Sequence, residues 1–359
     1  MNQQIKYFND ISILESSPLQ SHLNVFVDLS KNKFKLDVQK FSDALSNCIN
    51  LQSLKLDLQN NHLDSKDLKN ICSSLAKCPH LSTLTLLLFE NDTCDEGASL
   101  IGSSLTNIKN LSNLTLNIQE NKITCLGVSA LGSFFENYKS LSIFKLNLQF
   151  NKIGILGAKN LGTCLEKCTN LTDLALNLVR NEIEKQGAFG LCSPLVNCIN
   201  LKILSLNLGN NNIGDEGVQN IGSVLKNIPK LSYLTLFLYQ NQISSQGALS
   251  LCSNIAECPK LSSLTMSLGQ NYIGSQGASD LIQALGKSPK LLILQLYLYS
   301  NQIDNKGVQL ISASLKSLVR ITYLILTLGD NKISYIEGQI ISKKALKMKR
   351  MVKHQIISI

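Results

Sequence analysis

Residues 231–243 read LSYLTLFLYQNQI. Leucines stand at 231, 234, 236 and 238, and Asn241 and Ile243 follow. From Leu234 to Leu238 the leucines alternate with other residues, which is the period of a strand with one buried face. The same thirteen-residue phrase begins at 51, 81, 111, 141, 171, 201, 261, 291 and 321, always thirty residues apart. A fixed period of this length means stacked repeats that share one elongated core.

The second half of each repeat spaces its apolar residues four apart, as in Leu251 and Ile255 or Ile221 and Leu225. That spacing is one face of a helix. Pro79, Pro229, Pro259 and Pro289 share position 29, just past that helix, where proline prevents its continuation. Pro194 falls inside an expected helix and should kink or split it. Adjacent strands sit about 4.8 Å apart, whereas packed helices need roughly 8–10 Å. The strands therefore belong on the inside of an arc and the helices outside, joined by right-handed crossovers. The predicted fold class is an α/β right-handed solenoid, a horseshoe with a concave parallel β-sheet and convex α-helices.

Residues 1–21 match no repeat and are expected to cap the open end of the first one. His22–Asn50 is a degenerate repeat in which Val25, Val27, Leu29, Asn32 and Phe34 take the apolar and Asn slots. Ten full repeats follow to about Arg350, so the array spans 22–350 and 351–359 is a C-terminal cap. In the last repeat Glu337 takes the glycine slot and Gly338 follows it, which implies a one-residue insertion. With that shift Val352, Ile357 and Ile359 fall on the positions of a short closing strand.

Asparagine fills position 11 of every full repeat: Asn61, Asn91, Asn121, Asn151, Asn181, Asn211, Asn241, Asn271, Asn301 and Asn331. Such uniformity at a buried bend predicts a ladder of amides satisfying backbone groups that water cannot reach. Position 17 is glycine in eight repeats, from Gly97 to Gly307, and is expected to allow close approach where the helix begins.

Composition excludes several classes of function. The chain is 44% hydrophobic and 16% charged, which suits a leucine-lined interior and excludes disorder. No window of about eighteen apolar residues exists to span a membrane, and the N-terminus lacks the basic-then-apolar run of a secretory leader. Eleven cysteines then point to free thiols in a reducing, cytoplasmic setting. Five of them share position 28 (Cys48, Cys78, Cys168, Cys198, Cys258) and three share position 22 (Cys72, Cys192, Cys252), which reads as small buried helix residues. The four histidines join no cysteine cluster that could hold zinc. Gly286-Lys287-Ser288 resembles the end of a phosphate loop, but Leu281 stands where its first glycine is required. No nucleophile, base and acid can be assembled, so neither an enzyme nor a cofactor is expected.

The odd positions of each strand (3, 5, 7 and 9) are left for function. They hold few charges (Lys55, Asp57, Lys145, Asp173) and an exposed row of Asn117, Asn147, Asn177 and Asn207. Toward the C-terminus they turn aromatic: Tyr233, Phe237, Tyr239, Tyr297, Tyr299 and Tyr323. Gly209, Gly269 and Gly329 alternate with these, suggesting a duplicated two-repeat unit. Tyrosine and phenylalanine on an uncharged concave surface are typical anchors for a protein partner. Nucleic acid would need a basic groove that is missing. Lys343, Lys344, Lys347, Lys349, Arg350 and Lys353 give the C-terminus six positive charges; subtracting them from the net +9 leaves the rest at +3. That run is expected to be a solvated face of a capping helix, with weak contact to an anionic membrane as its functional alternative.

The pattern L-x-L-x-x-N-x-I, with glycine four residues on and a long helix after it, resembles the leucine-rich repeats. The long helical kind is the nearest in pattern, as in ribonuclease inhibitor and the activators of the Ran GTPase. Two extra strand residues per repeat are similar to the long-strand arrays of ciliate proteins, some of which carry kinase domains; no kinase motif is present here. The resemblance implies a protein-binding scaffold. Its alternatives are a regulatory subunit of an enzyme, GTPase-activating or kinase-associated, and a structural component of a cytoskeletal or ciliary assembly.

Overall fold

A computed structural model describes residues 4–30, 36–132, 140–339 and, for the backbone alone, 353–356. The chain divides into two compact units, Met1–Asn181 and Glu182–Ile359.

The first unit starts with β1 (Lys6–Phe8), α1 (Ile11–Ser16) and a 3-10 turn, Leu19–Ser21. Then strands and helices alternate: β2 (Asn24–Asp28), α2 (Val38–Ser46), β3 (Ser53–Asp57), α3 (Ser65–Leu75), β4 (Thr83–Leu87) and α4 (Cys94–Leu105). β5 (Asn113–Asn117), α5 (Cys125–Leu131), β6 (Ile143–Asn147), α6 (Gly154–Leu165) and β7 (Asp173–Asn177) complete it. All neighbouring strands pair parallel, and from β3 onward the register is thirty residues, as in Leu54 opposite Leu84 and Leu114 opposite Phe144. Asn32 and Phe34 lie outside the described residues.

The second unit contains α7 (Glu184–Cys192), β8 (Ile203–Asn207), α8 (Gly214–Leu225), β9 (Tyr233–Phe237), α9 (Ser245–Ala256) and β10 (Ser263–Ser267). It continues through α10 (Gly274–Gly286), β11 (Ile293–Tyr297), α11 (Asn305–Ser314), β12 (Tyr323–Thr327) and β13 (Lys353–Ile356). These strands are also parallel and in register. Each unit is thus a run of α/β solenoid. Pro194 splits its helix as expected: α7 ends at Cys192, and a 3-10 turn, Ser193–Asn197, carries the proline in its first turn. The closing strand departs from expectation in its register. β13 pairs with β12 at the unshifted offset, Leu324 opposite His354 and Leu326 opposite Ile356. Parallel pairing is set by the neighbouring backbone, so a displaced glycine in the preceding turn does not move it. Val352, Ile357, Ile359 and the lysine run before 353 lie outside the described residues.

The core follows from the alternation. Leu234, Leu236 and Leu238 are 2% exposed or less, as are their counterparts throughout the ten full repeats. Burying each such side chain stabilises by roughly 1.5–3 kcal/mol. Backbone pairing outlasts the formal strands: Leu238 N–H donates to Ser267 C=O at 2.8 Å and Gln240 N–H to Gly269 C=O at 3.0 Å. The sheet therefore reaches position 10. The thiols at positions 22 and 28 are buried, and burial pushes those of Cys72 and Cys192 up to about 12.

The turn into each helix comes in two forms. In one, a side chain caps the first turn: Asp64 in a capping box with Asp67, and Thr124, Ser244 and Asp304 at the same repeat position. In the other, that position is left-handed, as at Cys94 (φ 46), Glu184 (φ 55) and Gly154, Gly214 and Gly274 (φ 60 to 66). Within each unit the two forms alternate, apart from the left-handed pair Glu184 and Gly214 and the capped pair Asp304 and Ser334, whose hydroxyl accepts from Glu337 N–H at 3.4 Å. A capped turn is also bound to the repeat before it. Asp95 accepts from Thr124 N–H and Oγ1 at 2.7 and 2.6 Å, and Asp215 accepts from Ser244 N–H at 2.7 Å. The third such pair exchanges residues, with Ser275 Oγ donating to Asp304 at 2.7 Å. Gly247 is glycine because a Cβ there would strike Asp215, and Gly157 because one would meet Cys125 Cα at 3.1 Å.

Candidate protein-binding face

The position-11 amides tie successive turns together. Asn271 Oδ1 accepts from the N–H groups of Asn241 and Ile243 at 2.9 and 3.0 Å. Its Nδ2 lies 3.0, 2.9 and 3.1 Å from the carbonyls of Leu238, Leu268 and Gly269. Asn121 does the same in the first unit, donating to Leu88 and Gln119 carbonyls, both at 2.8 Å. One amide thus replaces the water that two buried turns have lost. Asn91 is buried in this network, its Nδ2 donating to Leu58 C=O at 3.0 Å.

With the amides and leucines committed to the interior, the odd strand positions form the exposed face. In the first unit this face is charged and cross-linked. Asn147 Nδ2 donates to Gln119 Oε1 and Asn177 Nδ2 to Gln149 Oε1, both at 2.9 Å. At its N-terminal end Lys55 Nζ stands 4.0 Å over the Phe26 ring, Tyr7 meets Phe26 edge-on at 5.1 Å, and Tyr7 Oη donates to Asp28 at 3.3 Å.

On β8–β12 of the second unit the face carries no charge; the charge returns at Lys353, which β13 pairs opposite Tyr323. The twenty odd positions from Ile203 to Gly329 on β8–β12 and their extensions contain no Lys, Arg, His, Asp or Glu. All six aromatic candidates are on it. Tyr233 is 52% exposed, while Phe237, Tyr239, Tyr297, Tyr299 and Tyr323 are half-buried. Tyr239 and Tyr299 each lie over a glycine of the preceding repeat. A Cβ built on Gly209 would collide with Tyr239 Cζ, Cε1 and Cε2 almost equally, so the ring meets the glycine face-on; Tyr299 covers Gly269 in the same way. Gly209 and Gly269 are buried beneath these rings, whereas Gly329 stays half-exposed. Phe237 and Tyr297 pair in register with Ser267 from its two sides, and Ser267 is only 7% exposed between them. The result is a corrugated surface on which the rings at positions 7 and 9 form ridges on β9 and β11.

The aromatic spacing was visible in the sequence, but two other features were not singled out there. The cluster of Tyr7, Phe26 and Lys55 requires β1 to pair with β2 at Tyr7–Phe26, which no repeat match foretells. Leu126 and Leu156 are 70% and 56% exposed at position 16 on successive helices. Position 16 is polar or charged in the other full repeats from Lys66 to Lys306, and apolar again only at Ile336, and that contrast was the available signal.

Among the described residues no three His, Cys, Asp or Glu side chains gather as metal ligands. Nor is any described helix long and apolar enough to cross a membrane. A family model described as Leucine Rich repeat matches residues 200–222, which take in β8 and most of α8. No curated protein matches the chain.

Proposed function

We propose that this leucine-rich-repeat protein is a non-enzymatic scaffold that holds a protein partner on the exposed face of β8–β12. The observation that carries this reading is the uncharged aromatic relief of that face. Phe237 and Tyr297 line the trough over Ser267, and the rings of Tyr239 and Tyr299 are seated on glycines. Rigid, half-buried aromatic rings provide contact area at little entropic cost, which is how interface anchors work. The helices between strands, twelve residues in α8 and α9 and thirteen in α10, favour the long helical class that includes ribonuclease inhibitor. No two of the eleven cysteines are joined in a disulfide, which favours a reducing, cytoplasmic setting. The test replaces Phe237, Tyr239, Tyr297 and Tyr299 by serine and compares the proteins retained in affinity capture with those retained by the native chain. Loss of specific partners with an unchanged far-UV spectrum is expected. An unchanged set of partners would remove the reading.

A further inference from the structure

We infer that the face of β8–β12 takes an uncharged, proline-rich segment in the polyproline II conformation, lying across the strands. The inference rests on that face being the protein-binding one. Three properties select this ligand.

The first is spacing. Ser267 pairs with Phe237 on one side and Tyr297 on the other, so these rings stand two strands apart. At about 4.8 Å per strand the ridges repeat about every 9.6 Å. A polyproline II helix has three residues per turn and rises about 3.1 Å per residue, so its side chains recur about every 9.3 Å. Prolines at every third residue therefore meet successive ridges. Tyr239 and Tyr299 keep the same two-strand offset one step along the strands, which widens each ridge.

The second is hydrogen bonding. Proline has no N–H, and a polyproline II segment makes no internal hydrogen bonds, so it presents carbonyl acceptors alone. The face and its rim bear donors, among them the Thr265 and Tyr299 hydroxyls and the Gln240 and Gln270 amides. An extended strand with its own N–H groups would instead seek a sheet edge.

The third is charge. A lysine or aspartate laid on this face would lose water and find no counter-ion. The rim is neutral from β8 to β11, with Asn210, Gln240, Gln270 and Ser300 at position 10, and becomes charged only past β12, at Asp330. The same lack of cations disfavours a nucleic-acid strand, although its bases could stack on such rings.

The test is fluorescence anisotropy of labelled probes with the full chain. The probes are a proline decamer, a glycine-serine decamer, proline decamers with lysine or with aspartate at every third residue, and a thymidine decamer. The proline decamer is expected to bind saturably, roughly tenfold more tightly than any other probe. The Phe237→Ser/Tyr297→Ser double variant should lose roughly tenfold with its far-UV spectrum intact, and Tyr297→Phe should retain binding. The inference is overturned if the glycine-serine, charged or thymidine probe binds as well as the proline decamer, or if the double variant binds it like the native chain. Should the proline decamer fail while the fourfold serine variant still loses captured partners, only the choice of ligand falls. Should that variant keep every partner, the binding face falls with it.

Discussion

The two units build their sheets from the same buried residues and finish them differently. On the first unit the odd positions carry Lys55, Asp57, Lys145 and Asp173, and amide side chains bridge neighbouring strands. On β8–β12 of the second they carry no ionisable group except tyrosine, and the rings at positions 7 and 9 rise on β9 and β11. The turn rims lean the same way: position 10 holds Glu90, Glu120 and Arg180 beside Asn60 and Phe150 in one, and Asn210, Gln240, Gln270 and Ser300 before Asp330 in the other. Since both sheets form equally well, the odd rows are not dictated by folding. They are where the chain was free to acquire specificity.

If this division is right, changes on the even and Asn rows should act alike in both units, and changes on the odd row should not. The largest expected effect is therefore shared. Asn121→Ala and Asn271→Ala should each destabilise by about 2–4 kcal/mol, because several buried backbone groups lose their partner at once. Local hydrogen exchange is the suitable measurement, since a repeat array need not unfold in one step. A large gap between the two variants would break the equivalence. Next comes Gly209→Val, which puts a side chain where the Tyr239 ring lies and should cost about 1–3 kcal/mol by overpacking. Gln119→Val, at the same position in the first unit, should stay within about 0.5 kcal/mol by urea denaturation.

Thiol chemistry sharpens the contrast without altering the fold. Cys94, Cys125 and Cys164 of the first unit are partly exposed, whereas Cys192, Cys198, Cys252 and Cys258 of the second are buried. At pH 8 a thiol reagent should label those three first-unit cysteines quickly. Burial pushes the Cys192 thiol up to about 12 and raises that of Cys252 as well, so the second unit should stay silent until it opens. Mass spectrometry of labelled peptides would show this; early modification of Cys192 or Cys252 would contradict it. The smallest effect concerns acid. Lys6 Nζ lies 3.1 Å from His22 Nδ1 and can only donate, so the ring is neutral with its proton on Nε2, facing Ser17 Oγ at 2.7 Å. Burial and Lys6 lower its pKa below the usual 6.5. The stability this gives is complete above pH 6.5 and is lost as pH falls through the folded value. Exchange protection near β1 and β2 should therefore weaken on mild acidification, and His22→Gln should abolish that dependence. The segment 182–339 has no histidine and should not respond.

How far the sequence could be read follows from the distance over which each feature is decided. Strand rows and helix faces were legible because they depend on periods of two and four residues within one repeat. Pro194 was legible because its missing N–H acts locally. The alternation of Gly209, Tyr239, Gly269 and Tyr299 was legible as a pattern, yet which ring covers which glycine depends on a rotamer leaning across strands. The two turn forms were harder to see. The left-handed position is glycine at 154, 214 and 274, but Cys94 and Glu184 hold the same conformation. Their alternatives are fixed by partners twenty-nine residues away, such as Asp95 with Thr124. The register of β13 was not legible from the shifted glycine slot, because it belongs to the neighbouring strand.

The alternation of turns also sets the step by which such a chain can grow. Removing residues 261–290 would bring Tyr239 beside Tyr299 without a glycine between them, so that one ring would have to sit on the other. It would also place the side-chain-capped turns of α9 and α11 next to each other. Removing sixty residues instead preserves every seat and every turn. Lineages of this array should therefore lengthen and shorten two repeats at a time, and a designer grafting segments of it should cut at the same interval.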